Sequence, residues 1–187
     1  LYMNKKQILC TGLSLALLLS SVITTPASIA AGKYFKIQYI HSKKKVKKKA
    51  INARYNNKVI STKIPGYIEG STSMYSAYWI FGHCSSLGTK YSSSKKRVTL
   101  QRNSQKLVMT LNSRTATLNG KKFTLPSAPR KIRYIAKKKN YIMVPGDIVA
   151  KKLGLNYSWN NRLLSGVISK GSTAKPTPST PSNTKPQ

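Results

Sequence analysis

The chain has 187 residues, of which 34 are Lys or Arg and only two are acidic, Glu69 and Asp147, giving a formal net charge of +32. No folding requirement produces this imbalance, and self-repulsion at such a charge destabilises a compact state, so an external polyanion is expected to supply the missing negative charge. With two carboxylates and two histidines, His41 and His83, the composition argues against paired-carboxylate catalysis, a Ser-His-acid triad and a multi-imidazole copper centre.

At the N-terminus, Met3 reads as the start, with Leu1 and Tyr2 as upstream carry-over. Asn4-Lys5-Lys6 forms a short positive region, Ile8 to Val22 is apolar, and Pro26 breaks the run ahead of Ser28-Ile29-Ala30. Small residues at both positions read by a signal peptidase identify residues 1–30 as a secretory signal peptide. Ser20, Ser21, Thr24 and Thr25 cut the run short of the roughly 20 apolar residues that a spanning helix needs. Gln7-Ile8-Leu9 is a poor lipobox for Cys10, which argues against a lipid anchor. Cleavage would remove Lys5, Lys6 and Cys10 and leave one cysteine, Cys84, which cannot form an internal disulfide. The mature part is therefore expected to rely on a hydrophobic core built from about 135 residues, enough for one domain.

Residues 31–49 form a basic N-terminal segment that contains Lys43, Lys44, Lys45, Lys47, Lys48 and Lys49. Ala53 to Tyr55 and Lys58 to Ile60 flank Asn56-Asn57, a hairpin signal. Trp79 to Leu87 is predicted to form a short helix capped by Gly88. Arg97 to Gln101 and Gln105 to Leu111 read as a hairpin turning at Asn103-Ser104. Thr115 to Leu118 and Lys121 to Leu125 flank Asn119-Gly120, the pair that favours a two-residue turn with both φ angles positive. Tyr141 to Val144 is a buried-looking strand. Pro145 suits the first turn of a helix, Asp147 suits its positive dipole end, Ile148, Val149 and Leu153 share a face, and Gly154 closes it. Leu163 to Ser169 is the last predicted strand. From Lys170 the chain carries Pro176, Pro178, Pro181 and Pro186 among Ser, Thr and Asn, with no large apolar residue. Residues 170–187 are expected to be a disordered, extended spacer that runs into the cell wall or leads to a further domain.

The middle of the chain repeats itself. A shift of 66 residues places Tyr75 on Tyr141, Leu87 on Leu153, Gly88 on Gly154, and Tyr91-Ser92 on Tyr157-Ser158. A shift of 63 places Asn56-Asn57-Lys58 on Asn119-Gly120-Lys121, and a shift of 64 places Pro65 on Pro129. The expected fold is α+β but mostly β: two pseudo-symmetric repeats of short strands and hairpins with one short helix each, packed together because neither has enough apolar surface alone.

The run Asn119-Gly120-Lys121, Ala128-Pro129, Tyr141-Ile142-Met143-Val144-Pro145, Leu153-Gly154 and Tyr157-Ser158-Trp159-Asn160 resembles the copper amine oxidase N-terminal-like domain, also called the stalk domain, of secreted Gram-positive bacterial proteins. The resemblance covers roughly residues 50–169. This chain differs in having Gly146-Asp147 where the family has Leu-Arg, Tyr78-Trp79-Ile80-Phe81 where it has Val-Pro-Leu-Arg, and Ser93 in place of a tryptophan. The resemblance implies a two-unit, non-catalytic module, often N-terminal to a wall-active enzyme such as an amidase. In the oxidase itself, the copper and the oxidised tyrosine cofactor belong to a separate catalytic domain.

No cofactor or metal is expected. His83-Cys84 is the one reactive-looking pair, but neighbouring residues on a helix point apart, and Cys84 reads as a small buried hydrophobe. What remains is charge. Besides the six lysines of residues 43–49, the clusters are Lys95-Lys96-Arg97, Arg130-Lys131 with Arg133, and Lys137-Lys138-Lys139. These are the candidate polyanion-binding residues. A solubilising surface mixes both signs, and here one is nearly missing. The expected function is that of a secreted, wall- or surface-associated non-catalytic module. Its partners would be teichoic acid, peptidoglycan or an anionic membrane surface. The alternatives are the N-terminal targeting part of a longer peptidoglycan hydrolase and, in a third class, extracellular nucleic-acid binding through tyrosines beside basic residues.

Overall fold

The computed structural model describes residues 30–171, so the expected signal peptide (1–30), but for its last residue, and the expected spacer (170–187), from residue 172 on, lie outside the described residues. The alternation of Phe35 and Ile37 with Lys36 and Gln38 makes β1 (Tyr34–Tyr39), which pairs antiparallel with the long β2 (Lys45–Tyr55). There follow β3 (Lys58–Val59), β4 (Gly66–Glu69) and β5 (Thr72–Ser76). A π-helical turn (Tyr78–Gly82) and a 3-10 turn (Ser85–Leu87) lead to β6 (Lys90–Ser93), β7 (Arg97–Arg102) and β8 (Gln105–Thr110). The second half holds β9 (Thr115–Leu118), β10 (Lys121–Thr124), β11 (Arg130–Tyr134) and β12 (Lys139–Pro145). Helix α1 (Gly146–Lys152), β13 (Leu155–Asn160) and β14 (Ser165–Lys170) complete it.

Six strands close a barrel in the order β1-β11-β12-β5-β4-β2, with the β1–β2 pair sealing the ring. Closure removes the unpaired edges that an open sheet of this length would expose. Beyond Ile51, β2 leaves the barrel and pairs in parallel with β14, giving a side sheet ordered β3-β2-β14-β13. A separate five-stranded sheet runs β10-β9-β8-β7-β6.

The two predicted repeats are present as the same succession of elements. The first is β2–β3, β4–β5, a helical segment and β6–β7; the second is β9–β10, β11–β12, α1 and β13–β14. Their outer hairpins are exchanged. The last hairpin of the second repeat joins the first hairpin of the first, and β6–β7 joins β9–β10 through the inserted strand β8. Neither repeat completes a sheet alone. A pseudo-twofold axis passes between β5 and β12, where Tyr75 faces Val144 and the pairs Met74–Pro145 and Ser76–Met143 flank it evenly. Met74 therefore corresponds to Met143, a shift of 69, and the sequence match of Tyr75 with Tyr141 is out of register. Gly88 and Gly154 do correspond at 66, both left-handed at φ 62° and 69°. The three-residue difference is an insertion in the first helical segment. That insertion also corrects the predicted helix over Trp79 to Leu87, which is a π turn and a 3-10 turn. Pro145 is the last residue of β12 and sits just outside α1, with Asp147 in the first turn as expected.

The barrel interior is filled by Phe35, Ile37, Ala50, Tyr67, Met74, Ile132, Tyr134 and Met143. A larger core lies between the five-stranded sheet (Val98, Leu100, Leu107, Met109), α1 (Val149, Ala150) and the side sheet (Ile51, Ala53, Ile168). Tyr75 sits at the junction of these parts. Its hydroxyl donates to the Asn52 carbonyl at 3.0 Å and accepts the Gly166 N–H at 2.9 Å. A Cβ at Gly66, Gly146 or Gly166 would overlap the Tyr75 side chain, so glycine is a steric requirement at all three.

Gly146→Ala therefore tests this junction. Helix propensity alone favours alanine by up to about 1 kcal/mol. Overlap with Tyr75 is expected to reverse the sign and cost about 1–3 kcal/mol, read by thermal or urea unfolding.

Candidate polyanion-binding surface

Strand alternation sorts the candidate basic residues into two groups. In β2, Val46, Lys48 and Ala50 share the inward face, and in β11, Arg130, Ile132 and Tyr134 do. Lys48 and Arg130 therefore point into one mouth of the barrel rather than to the outside. There they meet Glu69, the last residue of β4. Arg130 Nε donates to Glu69 Oε1 at 2.7 Å, Tyr39 Oη donates to Oε2 at 2.6 Å, and Lys48 Nζ lies 3.7 Å from Oε2. Lys48 also stands over the Tyr67 ring at 5.2 Å, and Arg130 over the Tyr39 ring at 5.2 Å. Glu69 is a structural counter-charge that holds two cations inside the mouth. The alternation of Tyr67 and Glu69 before Gly70 was the sequence signal for it.

The remaining candidates are exposed. Lys45, Lys47 and Lys49 lie on the outward face of β2, and Lys131 and Arg133 on that of β11. Between them runs β1, whose Lys36 was not singled out from sequence. Lys36 lies directly opposite Lys47, and Gln38 lies between Lys45 and Arg133. Like charges directly opposite one another on a sheet are destabilising, and here no carboxylate intervenes. Lys43 and Lys44 lie in or beside the β1–β2 turn, and Lys137 and Lys138 lie in the β11–β12 turn, with Lys139 opening β12. The β6–β7 turn brings Lys95 and Lys96 beside His41 and Lys131, where the four share a cleft of about 180 Å³, while Arg97 begins β7. Clusters far apart in sequence thus meet along one outer face, β2-β1-β11. The second acid of the chain, Asp147, pairs with Lys151 on α1 at 2.7 Å and does not serve this face.

The described residues do not fit a copper site. Among them no three His, Cys, Asp or Glu side chains gather. His83 packs against Trp79 at 4.5 Å between ring centroids, and the half-buried Cys84 thiol donates to the Trp79 carbonyl at 2.8 Å. Burial pushes the Cys84 thiol above its usual range, away from the reactive thiolate. Among the described residues no helix is long and apolar enough to cross a membrane.

Burial raises the Tyr39, Tyr67 and Tyr75 phenols well above their ordinary range, helped at Tyr39 and Tyr67 by Glu69. A phenol that keeps its proton when folded but loses it when unfolded stabilises the fold fully below the unfolded value, about pH 10. That stability is lost as pH rises through the folded values, so melting temperature is expected to fall steeply above about pH 10. Among the described residues the buried Tyr67 hydroxyl has no hydrogen-bond partner. Tyr67→Phe is expected to gain about 1 kcal/mol at neutral pH and to flatten the alkaline decline, measured by thermal melts across pH. Glu69→Gln leaves Lys48 and Arg130 facing one another and is expected to cost about 1–3 kcal/mol, a loss that added salt should lessen.

The copper amine oxidase N-terminal domain family matches residues 54–168. No curated protein and no solved structure matches the chain. Over its matched length the chain has the character of a non-catalytic, stalk-like module. The chain belongs to the copper amine oxidase N-terminal domain family.

Proposed function

We propose that this stalk-like module is secreted and attaches to the anionic polymers of a Gram-positive cell wall through the outer face β2-β1-β11 of its barrel. The observation that carries this reading is the register of that face, with Lys36 directly opposite Lys47 and no acid to relieve them. A surface that tolerates such repulsion gains stability when a phosphate-bearing chain lies across it. The two carboxylates of the sequence support the same reading, because both have structural partners elsewhere. Export is supported by the positive and apolar regions of residues 1–30, which lie outside the described residues. Outside a Gram-positive membrane, teichoic acid phosphates and anionic headgroups are the first polyanions met, which favours them over nucleic acid. Attraction of this kind is fast and long-range in dilute buffer and weakens with salt, since the Debye length is about 8 Å at physiological ionic strength.

Co-sedimentation with purified walls, with and without teichoic acid, tests the reading. Replacing Lys36, Lys45, Lys47 and Lys49 by Gln should weaken retention at least about tenfold, because each lysine near an anionic surface contributes on the order of 1 kcal/mol. The same change at Lys121 and Lys122, on the β9–β10 hairpin, should leave retention nearly unchanged. Equal retention by teichoic-acid-free walls, or equal losses in both variants, defeats it.

A further inference from the structure

Two clefts of the described residues are images of one another under the internal pseudo-twofold. One, of about 370 Å³, is lined by Tyr78, Tyr91, Ser93 and Lys131; the other, of about 430 Å³, is lined by Asp147, Tyr157, Trp159 and Ile68. The strand registers match these residues in that order, because Met74 corresponds to Met143 while Tyr67 and Arg130 occupy the same place opposite them. Both volumes lie within the roughly 300–1,000 Å³ of small-ligand sites.

The repeats have furnished this shared concavity differently. In the first cleft the three-residue insertion winds the chain into a π-helical turn, a rare conformation that recurs at functional sites. The turn projects Tyr78, 43% exposed, into the cleft. Trp79 forms a wall, fixed by Lys63 at 5.0 Å over its ring and by His83 at its edge. Tyr91 backs Tyr78 edge-on at 5.5 Å, and it lies so close to Gly82 that a Cβ there would collide with it. Around these rings stand the hydroxyls of Ser76, Ser93 and Ser94 and the amide of Asn140. A flat exposed ring flanked by short neutral hydrogen-bonding groups matches a pyranose, which has an apolar C–H face and a hydroxyl rim. Lys131 lines this cleft and also the basic cleft with Lys95 and Lys96, so a polymer lying on one runs into the other.

We propose that the first-repeat cleft is a saccharide subsite that stacks one pyranose ring of an anionic wall glycan on Tyr78, with Asn140 and the serines on its hydroxyls and Lys131 on its acidic substituent. This rests on the wall-polymer reading for the class of ligand but not on the lysines of β1 and β2 for the contact.

Two soluble probes separate the contributions. Glycan strands of alternating N-acetylglucosamine and N-acetylmuramic acid, free of teichoic acid, offer rings and carboxylates, whereas inorganic polyphosphate offers charge without rings. Calorimetric titration of the full chain should give glycan binding that Tyr78→Ala and Asn140→Ala each weaken at least about tenfold, with polyphosphate binding unchanged. In a Trp159→Phe background Trp79 is the one remaining tryptophan, and its emission should shift with glycan and not with polyphosphate. Glycan binding without polyphosphate binding would uphold the subsite while sinking the basic-face reading. Glycan binding untouched by both substitutions, no glycan binding at all, or a Trp79 response to a single-stranded oligonucleotide in preference to glycan would each overturn the subsite.

Discussion

The Tyr75 side chain is the contact on which the two halves of the fold depend. It stands on the pseudo-twofold axis, where its counterpart in the second repeat is Val144. A valine could not reach beyond the barrel. The tyrosine extends past the ring of strands, and its hydroxyl ties the parallel β2–β14 pair by donating to the Asn52 carbonyl and accepting from the Gly166 N–H. Three glycines drawn from β4, α1 and β14 leave room for it. Close packing of this kind resists small shifts, because a ring enclosed by backbone cannot slide without moving several elements together. The barrel is thereby locked to the sheets beside it, and the concavities between them keep their shape.

Exchange of hairpins between repeats adds to that rigidity. Each side sheet takes strands from both halves of the chain, so separating the repeats would break strand pairing as well as apolar contact. A stalk-like module is stiffened by such interlocking, and the same exchange creates two equivalent clefts. Symmetry gave both the same strands and aromatic residues; sequence divergence gave one the exposed Tyr78 with Lys131 and the other the carboxylate of Asp147.

Charge follows a related division of labour. Glu69 is enclosed by Arg130, Lys48 and Tyr39, and Asp147 sits at the start of α1 with Lys151. Both acids are used within the fold, and the outer face of the barrel is left with uncompensated lysines. The repulsion on that face is a standing cost, offset within the molecule by burial.

Much of the local structure was legible in the residues. Asn119-Gly120 and Asn56-Asn57 fixed two hairpins through the positive φ angles they favour, and Gly88 and Gly154 marked the ends of both helical segments for the same reason. The duplication, too, was readable from matching residues. The helix expected over Trp79 to Leu87 is the counterpart of the one in the second repeat, but the first repeat carries three more residues there and winds them into a π turn and a 3-10 turn. The basic residues of 43–49 read as one cluster of candidate polyanion-binding lysines, because a lysine's charge says nothing about which face of a strand it occupies. Only pairing with β1 and β4 sends Lys48 inward and Lys47 outward.

The sequence by itself determined the turns, the repeat, the family and the excess of positive charge, all of which depend on backbone preference or on composition. Tertiary structure alone decided that β1 and β2 close a barrel, that Glu69 gathers Lys48 and Arg130, and that Lys131 meets Tyr78 across more than fifty residues of chain. The physical reason is that strand register between distant segments is set by how side chains pack once the sheet has closed, and no local pattern carries that information.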